Sequence, residues 1–240
     1  MLETAIMCKN IHLAQGNFKM ENVEVEVRKG CITGLVGRNG SGKTTLIRLL
    51  AGAKSYTSGS VAIGGISLEE NIDEVRKKAV FVFDKPNFSL AAKPDVLAEV
   101  IKGIEPKFDM EYYKNKMELF SLDGSQKVKS YSRGMQKKLM LILALARKPE
   151  ILVLDEPTSE VDPVSRVEML DVLQEFMEDE EHTLLFSTHI TSDLDKIADY
   201  IVIMDQGEIL CSEEKEALCE RFSNHGRLPS VEEIMCSILK

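Results

Sequence analysis

The chain has 240 residues, room for one large domain or two small ones at about 150 residues per domain. Its 39 acids against 30 bases leave a formal charge of −9, which speaks against a generic nucleic-acid binder and against a protein held on anionic lipid by charge alone. With 44% hydrophobic and 29% charged residues, the composition is that of an ordinary globular protein, so disorder and fibrous repeats are excluded.

In chain order, Val23–Val27 alternates valine and glutamate, the period-2 pattern of a strand with one wet face. Ile32–Val36 is a short apolar strand that runs straight into glycines, and Val61–Ile63 is another, bounded by Gly59 and by Gly64-Gly65. Ala79–Phe83 and Ile151–Leu154 are unbroken apolar runs, as strands buried on both faces of a parallel sheet tend to be. Thr183–Phe186 and Tyr200–Met204 follow, with helical patterns between them, so the fold class is α/β with a mainly parallel sheet. From about Asn87 to Leu145 the alternation stops. That stretch has Pro94 and lysine-rich amphipathic windows, and it reads as a helical insertion between two strands. Ser230 followed by Glu233 is a capping-box spacing that predicts a last helix over Ile234–Leu239.

The longest apolar run, Leu139–Ala146, is far short of the roughly 20 residues a membrane-spanning helix needs. The N-terminus has no basic stretch followed by an apolar core, and the five cysteines form no CxxC pair. The expectation is a soluble cytoplasmic protein with reduced thiols and no zinc site.

Gly37-Arg38-Asn39-Gly40-Ser41-Gly42-Lys43-Thr44 matches GxxxxGK[ST], after an apolar strand and before a helical pattern that opens at Thr45. Glycines let backbone N–H groups wrap phosphates, and the following helix N-terminus favours negative charge. Lys43 is placed to reach the β- and γ-phosphates, and the Thr44 hydroxyl to ligate Mg²⁺. Ile151-Leu152-Val153-Leu154-Asp155-Glu156 ends a buried strand in two carboxylates. Asp155 suits Mg²⁺, held through its water shell, and Glu156 suits polarisation of an attacking water. Alone, such a strand end is as often simply solvated; beside a phosphate loop the catalytic reading prevails.

Between these motifs stands Tyr131-Ser132-Arg133-Gly134-Met135-Gln136, and after them come Glu160-Val161-Asp162 and Ser187-Thr188-His189. In this order the set resembles the ATP-binding subunit of ABC transporters over nearly the whole chain. The resemblance implies one domain over residues 1–240, with a nucleotide-binding core at about 1–86 and 147–240. That core carries an antiparallel β subdomain, and the helical subdomain with the signature occupies about 87–146. It also implies ATP and Mg²⁺ as ligands, and a second nucleotide-binding subunit, identical or not, joined head to tail. Ser132, which reads as the N-cap of the helical run Arg133–Arg147, and Gly134 would then meet the γ-phosphate of the partner's ATP. His189 would contact the γ-phosphate of its own.

Three positions depart from the family pattern. Arg133 and Met135 replace a glycine and a glutamine of the signature, a variant similar to ATPases paired with separate ABC-2-type permeases, which points to export. Asp84 stands where the family has the Q-loop glutamine, and a carboxylate there can still serve Mg²⁺ or its water. Gln15 falls at the adenine-stacking aromatic, with Phe18 as the substitute. The resemblance implies a separate membrane permease, attachment to the inner face of the membrane through it, and no nucleic-acid partner. The alternative is a soluble, non-transport ABC ATPase of a cytosolic assembly complex.

Overall fold

The computed structural model describes residues 3–223 and 227–239. The chain opens with two long antiparallel strands, β1 (Thr4–Gln15) and β2 (Phe18–Arg28), followed by β3 (Ile32–Val36) and helix α1 (Lys43–Leu50). Next come β4 (Ser58–Ile63), β5 (Ile66–Ser67), α2 (Ile72–Lys78) and β6 (Ala79–Val82). Helices α3 (Pro94–Ile104), α4 (Met110–Leu119) and α5 (Arg133–Leu145) then run with no strand among them. The last part alternates again: β7 (Ile151–Asp155), α6 (Pro163–Phe176), β8 (Thr183–Thr188), α7 (Thr191–Ile197) and β9 (Tyr200–Asp205). It finishes with β10 (Glu208–Glu214), α8 (Lys215–Arg221) and α9 (Val231–Ile238).

Helix starts follow local chemistry. Pro94 and Pro163 sit in the first turn of α3 and α6, where the missing N–H is not needed. Asp109, Ser132 and Asp162 cap α4, α5 and α6 by accepting from amides of the first turn. The Ser230/Glu233 capping box is present in both directions, and the helix it opens runs Val231–Ile238, starting three residues before the predicted bound.

The strands make two sheets. One is antiparallel, in the order β2-β1-β4-β5; the other has the order β10-β9-β3-β8-β7-β6. In the second, β9, β3, β8, β7 and β6 are mutually parallel, and only β10 is antiparallel, at the edge. Side chains on a strand point alternately to opposite faces, and the parallel sheet divides its residues that way between two cores. Leu152, Leu154, Leu184, Phe186, Ile201 and Ile203 join α5, α6, α7 and α9 on one side. Ile151, Val153, Leu185, Val202 and Met204 pack on the other side against α1 and the antiparallel sheet. Helix α1 is therefore sandwiched between the two sheets, and the strands that carry the site's acids are covered on both faces.

Three strands were not legible in advance: β5, only two residues long, and β1 and β10. In β1 the register shifts three times against β2 and Asn10 takes a positive φ of 50°, so its apolar residues do not keep period 2. β10 (EILCSEE) is an edge strand with mostly exposed residues. The predicted strands at Ala79–Phe83 and Thr183–Phe186 end instead at Val82 and Thr188.

Candidate active site

The phosphate loop links β3 to α1, and its shape comes from close approach to β9. A Cβ on Gly37 would lie 1.9 Å from the Met204 carbonyl oxygen, so only glycine fits there. Gly42 has φ 116°, and as the N-cap of α1 it offers no side chain to the first turn. The amides at that helix start are thus left for a ligand, on the positive end of the helix dipole. The Lys43 ammonium lies under the loop, donating to Gly37 O at 2.8 Å and Arg38 O at 3.3 Å, with Glu156 Oε1 at 3.9 Å. Burial holds its pKa below the ordinary lysine value, against the opposing pull of Glu156 and Asp155.

The end of β7 supplies the two acids, and the adjacent parallel strand β8 holds them. Asp155 ends β7 and pairs in register with Ser187 of β8. The Ser187 hydroxyl, fully buried, donates to Asp155 Oδ1 at 2.7 Å and accepts from the Glu156 amide at 3.0 Å. Glu156 has a positive φ of 51°, a conformation that costs a non-glycine residue about 1–3 kcal/mol and persists only where the surroundings fix it. Here the amide is bound to Ser187 O and Oγ, and the carbonyl accepts from Ser159 Oγ and from Lys137 Nζ. The Glu156 carboxylate meets His189, whose Nδ1 lies 2.7 Å from Oε2 and whose backbone amide donates to it at 3.3 Å. The Nδ1–H tautomer donates to that carboxylate. Behind the loop, Thr158 Oγ1 donates to Asp193 Oδ2 at 2.6 Å and Arg166 Nε lies 3.0 Å from Asp193 Oδ1, which ties the segment after Glu156 to α6 and α7.

The loop, Glu156 and His189 meet at one open cleft of about 510 Å³. Asn39, Gly40, Ser41, Gly42, Lys43, Thr44 and Thr45 form its floor, Glu156 and His189 one wall, and Asp84 and Glu160 also border it. Gly37 and Asp155 lie behind the lining. Arg38 turns away, donating to the Leu239 carbonyl at 2.9 Å. Ser132 and Gly134 are not among the lining residues: the Ser132 hydroxyl caps α5, accepting from Met135 N at 3.2 Å, beside the Arg133–Glu160 ion pair. Phe18 lines the cleft next to Gly42, whereas Gln15 does not line it and accepts from Lys54. Asp84 Oδ1 accepts from Lys137 Nζ at 2.7 Å, so its charge is met by a lysine that the motif reading did not single out. The part of the Ser187 hydroxyl was also missed; the family motif drew attention only to His189.

The donor set suits Mg²⁺. Asp155 Oδ2 is buried with no hydrogen-bond partner among the described residues, while Thr44 borders the cleft. Among the described residues no three His, Cys, Asp or Glu side chains form a metal cage; Mg²⁺ commonly rests on one or two protein oxygens, water and substrate phosphates instead.

A strand–glycine loop–helix unit with an acid at the end of a parallel strand two places away in the same sheet defines a P-loop nucleoside triphosphatase. A profile described as ABC transporter matches residues 20–159, and the chain belongs to that family, as one of its ATP-binding cassettes and an ATPase. The bacitracin transport ATP-binding protein of Bacillus licheniformis is 31% identical over 87% of this chain and 69% of its own length. The lantibiotic transport ATP-binding protein of Streptococcus pyogenes is 31% identical over 85% of this chain and 90% of its own. In three dimensions the chain resembles an ATP-binding subunit of an ABC transporter over the full length of both, with a TM-score of 0.87 at 21% identity. It also resembles a dimeric cassette bound to ADP and Pi, with a TM-score of 0.76 at 22% identity over 87% of this chain and 98% of the other.

Proposed function

We propose that this chain is the ATP-hydrolysing subunit of an exporter, in which two cassettes close head to tail over ATP and drive a separate membrane permease from its cytoplasmic side. One observation carries the head-to-tail arrangement: Lys43, Glu156 and His189 share a cleft to which Ser132 and Gly134 do not contribute. The signature then completes the site of a second copy rather than its own. The export direction is supported by the bacitracin and lantibiotic transport relatives and by the Arg133–Met135 signature variant. No helix among the described residues is long and apolar enough to cross a membrane, which suits a transport path in another polypeptide. Residues 1–86 and 147–240 form the nucleotide-binding core in this reading, and about 87–146 the helical part that faces the permease.

Within the cleft, the loop amides and Lys43 bind the β- and γ-phosphates, and Phe18 offers the adenine a ring face. Mg²⁺, when bound by Thr44 and by Asp155 through water, supplies charge neutralisation at the phosphates. Glu156 accepts the proton of the attacking water, and His189, oriented by its Nδ1–H bond to Glu156, donates to the γ-phosphate from Nε2–H when the ring carries both protons. Replacing Glu156 by Gln removes the proton acceptor and keeps the shape. Turnover is expected to fall by about 10²–10⁴, and with ATP bound and uncut the protein is expected to elute as a dimer on size-exclusion chromatography, with ADP giving only monomer. An ATP-bound Glu156→Gln protein that stays monomeric would refute self-association over ATP. Purification of the tagged chain from membranes should bring a polytopic permease with it; a purely soluble complex would favour the non-transport alternative.

A further inference from the structure

Lys137 lies on α5, three residues beyond Gly134, and is 5% exposed. Its ammonium reaches two other parts of the chain: Asp84 Oδ1 at 2.7 Å after β6, and, after β7, Ser159 Oγ at 2.7 Å together with the Glu156 carbonyl. A lysine ammonium has three donors and no acceptor, so these contacts use its full capacity. Asp84, Glu156 and Ser159 all border the cleft, whereas Lys137 stands behind it. Two consequences follow from the chemistry. An unpaired Asp84 carboxylate would face bound phosphates with a like charge, and Lys137 cancels that charge. The Glu156 carbonyl belongs to a residue at positive φ, and Lys137 is one of the donors that hold it there.

We propose that Lys137 is a positioning residue for ATP hydrolysis: it neutralises Asp84 toward the phosphates and pins the Glu156 backbone so that the carboxylate stays aimed at the attacking water. This inference rests on the cleft being an ATP-hydrolysing site. It makes turnover sensitive to where α5, and with it the signature, sits against β7. A displacement of about 1 Å at a reacting group can cost up to about a hundredfold in rate.

The test uses the full chain, with steady-state ATP hydrolysis and with equilibrium ATP binding measured without Mg²⁺. Lys137→Met is expected to lower kcat at least fivefold and to weaken ATP binding, since it removes the anchor and leaves Asp84 uncompensated. Adding Asp84→Asn removes the stranded charge, so the double variant should regain wild-type binding within about twofold while kcat stays at least fivefold down. A kcat within fivefold of wild type in either variant would overturn the positioning role. A double variant that binds ATP as weakly as Lys137→Met would overturn the charge role. If Lys137→Met does not fold, the double variant, which buries no unpaired charge, carries the test; its failure to fold would mark Lys137 as structural support and refute the proposal. Absence of hydrolysis by the wild-type chain would instead refute the ATPase reading itself.

Discussion

Ser187→Ala is the sharpest probe of how the two acids are held. The hydroxyl is fully buried between strands and serves both residues, donating a hydrogen bond to Asp155 Oδ1 at 2.7 Å and accepting one from the Glu156 amide at 3.0 Å. A hydrogen bond to a charged group is worth about 1.5–3 kcal/mol and a neutral one about 0.5–1.5 kcal/mol. The neutral one is only partly lost, because the Glu156 amide keeps the Ser187 carbonyl at 3.1 Å. Asp155, 1% exposed, is left with no donor to either oxygen among the described residues. The sum is a destabilisation of about 2–4 kcal/mol. For a chain of this size each kcal/mol moves Tm by about 2–4 °C, so thermal unfolding followed by circular dichroism should show a drop of about 4–16 °C. Ser237→Ala, which removes an exposed hydroxyl bonded to the Glu233 carbonyl, is the control and should move Tm by no more than about 2 °C. A Ser187→Ala protein whose Tm also moves by less than about 2 °C would refute the view that this hydroxyl fixes the end of β7.

Two further predictions concern the phosphate loop. Gly37→Ala would place a methyl 1.9 Å from the Met204 carbonyl, so the loop must leave β9; ATP affinity should drop at least tenfold in a binding titration, and unchanged affinity would contradict the observed approach. Burial lowers the Lys43 pKa in the free protein, and bound phosphates favour its charged form, so above the free-state value ATP can bind only with uptake of a proton. Affinity should therefore begin to fall with rising pH before the ordinary lysine value near 10.5 is reached, and a titration that stays flat up to that pH would refute the assignment.

How much of this was legible beforehand depended on how local the cause is. The phosphate loop, β3, the acids ending β7 and the Ser230 capping box are each set by neighbours in sequence, and each could be read directly. β1 could not, since its bulges break the alternation that marks a strand, and β10 could not, since an exposed acidic edge has no apolar pattern. The same divide runs through the site. His189 stands out within a motif, whereas the importance of Ser187 arises from its register with Asp155 across a parallel pair. Lys137 read as one more lysine in a lysine-rich helical stretch; that it is buried among three acceptors follows only from the packing of α5 against β6 and the segment after β7.

The helices from Pro94 to Leu145 share their apolar core with the parallel sheet: Ala98, Phe108, Tyr113 and Met117 belong to the same cluster as Val80, Leu152 and Phe186, with α5 between. They are thus an insertion in sequence but not a detachable module. A chimera that exchanges residues 94–145 with a relative would bring a foreign α5 face onto β6 and β7, and a foreign residue to the Lys137 position opposite Asp84. A chimera aimed at the permease contact proposed above is therefore cut before α5, so that α3 and α4 are exchanged and α5 stays with the sheet it was built on.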